Sequence, residues 1–148
     1  MKNDYFKDST GLEKLLIDYK DVFEMIDDYG KQLMLGLLST PDDYKTCLDK
    51  MTGAYVSLEP LYTMAEAKKL NEELQAYVTM KRELESKGEK VVATSLEKES
   101  SLAVADFRRI RAVLEGYVEA CAKGIGTCQT QLKRFEFDMK NKNSKINE

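Results

Sequence analysis

Apolar residues recur at spacings of three and four along most of the chain, which is the pattern of amphipathic α-helices. The first apolar face follows Ser9-Thr10-Gly11 and comprises Leu12, Leu15, Leu16, Tyr19, Phe23 and Ile26. Gly30 interrupts this face before the apolar run 33–38. From the pattern, Gly30 is either a kink or a helix cap, and residues 1–39 are predicted to form N-terminal helices.

A second helical segment is predicted over residues 40–88. Thr40-Pro41-Asp42-Asp43 signals a helix start, because Thr40 can cap backbone amides and proline suits the first helical position. The same aspartates could also be a metal or acid–base pair, but capping explains them more simply. Pro60 is expected to kink this helix or to start a new one. The apolar face comprises Tyr44, Leu48, Met51, Tyr55, Leu58 and Tyr62, then Leu70, Leu74, Tyr77, Lys81 and Leu84, before a stop at Gly88.

The last segment, residues 94–139, is predicted to be one long helix, with residues 140–148 as a flexible tail. Thr94 and Glu97 have the spacing of a capping box at its start. Its apolar seam repeats every seven residues at Phe107, Leu114, Cys121, Cys128 and Phe135. Such a seam favours packing in a helical bundle or a short coiled coil.

These patterns together predict an all-α fold of long amphipathic helices in a bundle or coiled-coil-like assembly, with the longest helix at the C-terminus. The length of 148 residues fits a single helical domain, residues 1–148. Only two prolines and eight glycines occur, and an all-β chain of this length would need many more turn signals.

A second stripe on the last helix consists of small residues and indicates a close approach of another backbone. Glycine inside a helix costs about 1 kcal/mol relative to alanine, so two glycines on one line suggest a crossing helix. The crossing helix could belong to the same chain or to another subunit. The predicted oligomer interface comprises Ala112, Gly116, Ala120, Gly124, Cys128, Leu132 and Phe135.

The composition argues against catalysis. Histidine is absent, which removes the commonest general base and most zinc sites. The three cysteines, Cys47, Cys121 and Cys128, are expected to be reduced, core-filling thiols. We therefore expect no enzyme activity, no catalytic residues, no metal site and no cofactor. No secretory signal or membrane span is recognisable, so we expect a cytoplasmic protein without a membrane partner.

Charge is unevenly distributed along the chain. The formal net charge is −3, made up of −6 over residues 1–75 and +3 over residues 76–148. Basic residues of the second half are interleaved with acids, as on an ordinary solvated helix face, but they could also follow a phosphate backbone. The candidate nucleic-acid-binding residues are Lys81, Arg82, Lys87, Lys90, Arg108, Arg109, Arg111, Lys133 and Arg134.

Residues 70–139 resemble small phage recombination mediators of the UvsY type. The resemblance lies in a basic helix end before a glycine, as in Lys81-Arg82 and Lys87-Gly88, followed by a charged connection and a long helix. In that helix a small-residue stretch meets a basic–glycine step, as in Ala120-Cys121-Ala122-Lys123-Gly124. The resemblance covers about half of the chain.

This resemblance implies a homo-oligomeric, ring-forming helical protein in the host cytoplasm. Such a protein would bind single-stranded DNA, help to displace the single-strand binding protein and load a recombinase. The basic residues named above would contact phosphates. The alternative is a helical protein–protein adaptor, a virion component or an inhibitor of a host protein without nucleic-acid binding. That alternative would use the acidic first half of the chain, including Asp27, Asp28, Asp42 and Asp43, against a basic partner.

Overall fold

The described part of the chain, residues 2–146 of a computed structural model, is helical throughout apart from short connections. A short 3-10 helix, Lys2–Phe6, precedes five α-helices: α1, Gly11–Asp18; α2, Lys20–Met34; α3, Pro41–Ser86; α4, Ala93–Ala103; and α5, Ala105–Ile146. No strand occurs within residues 2–146, and the predicted all-α fold is confirmed. The C-terminal helix, which was predicted to be the longest, is present as α5 with 42 residues, and α3 is longer with 46.

The start of α3 is a side-chain cap, as the sequence predicted. The backbone N–H of Asp43 donates to the Thr40 hydroxyl at 3.1 Å, and the Thr40 N–H donates to the Asp43 carboxylate at 3.0 Å. The Ser39 N–H donates to the same carboxylate at 3.1 Å. These backbone hydrogen bonds lower the pKa of Asp43, because they stabilise its charged form. Asp43 is therefore explained by capping, and Asp42 lies beside it in the first turn of α3.

Pro60 lies inside α3, and the helix does not start anew there. Proline removes one hydrogen bond, the one that would reach the carbonyl of Val56. Val56 is exposed, so water can satisfy that carbonyl. Leu58 and Leu61, close to the proline on either side, are both fully buried, and this packing outweighs the lost hydrogen bond.

Glycines end two of the helices in the same way. At the end of α3, Gly88 has φ +71°, its N–H donates to the Glu85 carbonyl, and the Glu89 N–H donates to the Leu84 carbonyl. This is the Schellman arrangement, and the predicted stop at Gly88 is confirmed. Gly36 forms the equivalent cap after α2, whereas Gly30 lies within that helix.

The C-terminal third differs from the single helix predicted over residues 94–139. Val104, whose side chain is buried, adopts φ −109° and ψ 22° and separates α4 from α5. The predicted capping box is wrong, because the helix starts one residue before Thr94 and no side chain caps it. At the other end α5 continues through residues 140–146, where no glycine or proline ends it. Residues 147 and 148 lie outside the described part.

The helices contribute to two compact units. Within the described part, unit 1 contains residues 2–18 and 60–115, and unit 2 contains residues 19–59 and 116–146. The core of unit 1 includes Tyr5, Phe6, Leu15, Leu61, Ala65, Leu96, Val104, Ile110 and Leu114. The core of unit 2 includes Phe23, Ile26, Leu38, Cys47, Met51, Ala54, Leu58, Val118, Cys121 and Cys128.

Candidate nucleic-acid interface

Arg111 forms ion pairs inside unit 1. Its guanidinium is 2.9 Å from the Glu115 carboxylate and 3.2 Å from that of Glu66, and it lies 5.7 Å from the centre of the Tyr62 ring. Only 25% of its side chain is exposed. Burial and the neighbouring carboxylates raise the pKa of the Tyr62 hydroxyl. Arg111 therefore joins α3 to α5, and both of its carboxylate partners would have to be displaced before it could bind a phosphate.

The two neighbouring arginines are also paired within unit 1. Arg108 lies 3.4 Å from the Glu73 carboxylate and donates a hydrogen bond to the Ser101 hydroxyl. Arg109 lies 3.6 Å from the Asp106 carboxylate, three residues earlier on the same helix. The Arg109 pair is the more exposed of the two and contributes little, so its guanidinium can exchange partners more easily.

A second group of predicted cations surrounds the glycine turn at the end of α3. Lys81, Arg82, Lys87 and Lys90 are all exposed. Lys81 lies 4.0 Å from the Glu85 carboxylate. Among residues 2–146, no carboxylate lies within ion-pair distance of the other three. Arg82, Lys87 and Lys90 are therefore not held in ion pairs within the described part, and residues 81–90 carry a formal charge of +1.

The third group lies near the end of α5 in unit 2. Lys133 and Arg134 are exposed, and neither has an ion pair within the described part of the chain. They share a shallow pocket of about 380 Å³ with Thr130, Phe137 and Asp138. Phe137 follows the two cations by four and three residues, so all three side chains lie on one face of the helix. The Phe137 side chain is 64% exposed, although it is large and apolar.

Phe137 is not among the candidate residues that the sequence patterns indicate. The apolar seam accounts for Phe135, which is half-buried and lies 5.9 Å from the Tyr44 ring, centre to centre. Phe137 lies off that seam, and this offset is the signal that could have identified it. An aromatic ring next to exposed cations is suited to stacking on an unpaired base while the cations bind the backbone.

The predicted oligomer-interface residues include both exposed and buried positions, with Ala112 in unit 1 and the others in unit 2. At Gly124, an added Cβ would lie 2.6 Å from the methyl carbon of Met51, so the close approach at this glycine occurs within one chain. Cys128 is fully buried as well. Gly116 is exposed, with nothing within 4 Å of an added Cβ. Ala112 is exposed, and Ala120, Leu132 and Phe135 are half-buried.

Chemistry other than binding has little support in the described residues. Burial raises the pKa of Cys47 to about 12 and that of Cys121 to about 11, which disfavours the reactive thiolates. Within residues 2–146, no three cysteine or carboxylate side chains are grouped so that they could hold a metal ion. None of the helices described is both long enough and apolar enough to cross a bilayer.

No family model matches this sequence, and no curated protein or solved structure is significantly similar to the chain.

Proposed function

We propose that the chain is a non-enzymatic, single-stranded-DNA-binding protein of the recombination-mediator kind, which assists the loading of a recombinase. The observation that carries the proposal is the exposed ring of Phe137 beside Lys133 and Arg134. Burying an exposed aromatic ring on a base is favourable, and every base offers a stacking face whatever the sequence. The cations supply the attraction to phosphate that such stacking needs.

The turn at Gly88 is the second contact region in this proposal. Arg82, Lys87 and Lys90 are exposed there and form no ion pair within residues 2–146. Arg108 and Arg111 take no direct part, because they stabilise unit 1 through their ion pairs. The family resemblance of residues 70–139 adds two features to the proposal. The chain would help to displace a single-strand binding protein, and it would form a homo-oligomer.

The test is binding of a fluorescently labelled oligo-dT, followed by anisotropy over a series of salt concentrations. Phe137→Ala should weaken binding roughly 5- to 150-fold without changing the salt dependence, since stacking is worth about 1–3 kcal/mol per base. The double variant Lys133→Gln/Arg134→Gln should reduce the slope of log K against log salt by about 1.4, because each single-strand phosphate contact contributes about 0.7.

Lys123→Gln is the matched control. Lys123 lies on the same helix, has an exposed side chain and forms only a 4.0 Å pair with Glu119. Its removal should leave both the affinity and the slope unchanged. Equal affinities for the wild type, Phe137→Ala and the double variant would contradict the proposal. The mediator role is tested separately, by adding the chain to a recombinase on DNA coated with single-strand binding protein and measuring strand exchange.

A second candidate is a protein–protein adaptor, and one observation favours it. The turn after α2 exposes three large apolar side chains, Met34, Leu35 and Leu37, with exposed fractions between 62% and 77%. Exposed apolar groups of this size often mark protein interaction sites. Of the acidic residues that this candidate was expected to use against a basic partner, Asp43 caps α3 and Asp27 accepts a hydrogen bond from Tyr117. A chain that folds but ignores oligo-dT at low salt would favour this candidate.

A further inference from the structure

An apolar stripe runs along the exposed side of the C-terminal part of α3. Leu70, Leu74, Tyr77, Lys81 and Leu84 follow one another at spacings of four and three residues. Leu70 and Leu74 are 54% and 64% exposed, and Val78 beside them is also exposed. This spacing is that of a coiled-coil seam, which is normally covered by another helix.

The stripe forms one wall of a groove in unit 1. The groove has a volume of about 370 Å³ and lies between α3, which contributes Leu70, Glu73, Leu74 and Tyr77, and α4, which contributes Glu97 and Ser100. Both charged residues that line it are acidic. Glu73 pairs with Lys69 and Arg108, both at 3.4 Å, whereas no cation within residues 2–146 lies within ion-pair distance of Glu97.

We propose that this stripe binds the same stripe of a second copy of the chain, with the two α3 helices antiparallel about a two-fold axis at Tyr77. In such a pairing, a residue before Tyr77 in one copy lies opposite the residue of the second copy that follows Tyr77 by the same number of positions. Leu70 then lies level with Leu84 of the second copy, and Leu74 lies level with Met80 of the second copy. Leu70 of each copy therefore covers Leu84 of the other, and the two Tyr77 rings meet at the axis. Met80, which Leu74 meets, lies beside the stripe and also lines a separate pocket.

The charges agree with a second copy as the occupant. Lys81 is the only charged residue on the stripe, and the groove beside the stripe is lined by two carboxylates. The antiparallel arrangement brings Lys81 level with Glu73 of the second copy, next to Glu97, and the two-fold axis repeats this contact. A parallel arrangement would instead place the two Lys81 side chains together, which like-charge repulsion disfavours.

Lys81 can make this contact without an energetically important loss inside its own chain. Within the described residues its single ion pair is the 4.0 Å contact with Glu85, in which both side chains are about half exposed. Exposed pairs of this kind contribute little to stability. Lys81 lies next to the turn at Gly88, but the DNA contacts proposed there are those of Arg82, Lys87 and Lys90. The interface would therefore stand if the chain bound no nucleic acid.

The first test is the mass of the purified chain in solution, measured by sedimentation equilibrium over a range of concentrations without DNA. The wild type should form dimers, and Leu74→Glu should weaken dimerisation about 100-fold, because the change buries a charge twice in one interface. Leu102→Glu is the control, since Leu102 is an exposed leucine of α4 that does not line the groove. A monomeric wild type, or equal effects of the two variants, would overturn the proposal.

The second test uses charge reversal. Lys81→Glu and Glu97→Lys should each weaken dimerisation about 10-fold, and the double variant should recover most of the loss. Both side chains are exposed, so the helical circular dichroism should not change. Failure of the double variant to recover would exclude the contact between Lys81 and the groove.

The third test reports the register. With oxidised glutathione as the oxidant, Tyr77→Cys should form a disulfide-linked dimer, because residue 77 lies on the axis and meets its own copy. Thr79→Cys, two residues away and off the stripe, should remain uncrosslinked. The native thiols are buried and should not interfere. Crosslinking of the Thr79 variant alone would exclude the proposed axis.

Discussion

Replacing Gly124 by alanine tests the packing of unit 2 directly. Gly124 lies in the middle of α5, where alanine is intrinsically better than glycine by about 1 kcal/mol. The added Cβ would lie 2.6 Å from the methyl carbon of Met51 and 3.6 Å from its Cγ. The first distance is far below a normal carbon–carbon contact, so the methionine must move.

The size of the effect follows from the space that Met51 has. The side chain is flexible, but it is 98% buried in the core of unit 2, with a relative exposure of 2%. Forcing an extra carbon into a packed core typically costs about 1–3 kcal/mol. This cost cancels or exceeds the propensity gain, so we expect Gly124→Ala to be neutral or to destabilise the chain by up to about 2 kcal/mol.

Gly116 provides the matched control on the same helix. Nothing lies within 4 Å of a Cβ added there, so Gly116→Ala should stabilise the chain by about 1 kcal/mol. Urea and thermal unfolding, followed by circular dichroism, measure both variants, with roughly 2–4 °C expected per kcal/mol. In a Met51→Ala background the clash is gone, so Gly124→Ala should then stabilise the chain as Gly116→Ala does.

Two outcomes would refute this reasoning. One is an equal gain in stability from Gly124→Ala and Gly116→Ala in the wild-type background. The other is an effect of Gly124→Ala that does not change when Met51 is truncated, because contacting residues should show a coupling energy.

Two further predictions concern the helix cap and the buried thiols. Thr40→Ala should lower the free energy of unfolding, measured in urea, by about 1 kcal/mol, because it removes the hydroxyl that accepts a hydrogen bond from the Asp43 N–H. Thr94→Ala removes no cap and should change this free energy by less than about 0.5 kcal/mol. Cys47 and Cys121, with pKa values raised to about 12 and about 11, should react with a thiol reagent at neutral pH only after unfolding, and rapid labelling of the native chain would contradict this. Because their folded-state pKa values exceed the unfolded ones, the stability that they contribute is complete below about pH 9 and is lost as the pH rises through 11–12.

The sequence predicts where the candidate binding residues cluster along the chain, but not which partners they contact. The cations were recognisable as basic clusters, but their partners were not, because an ion pair such as that of Arg111 with Glu66 joins residues far apart in the chain. The spacing of charges along one helix does not reveal which carboxylate of another helix lies opposite. Phe137 was missed for a related reason, since exposure of an apolar side chain depends on which helix faces are covered.

The sequence by itself determined the helical class and the local stops, because these depend on neighbouring residues. The three- and four-residue spacing predicts helices, Thr40 supplies a hydroxyl three residues before the amide that it caps, and Gly88 permits the positive φ that ends α3. Two other features of the helices depend on tertiary packing. The continuation of α3 through Pro60 and the break at Val104 depend on burial, which is a property of distant chain segments packed together.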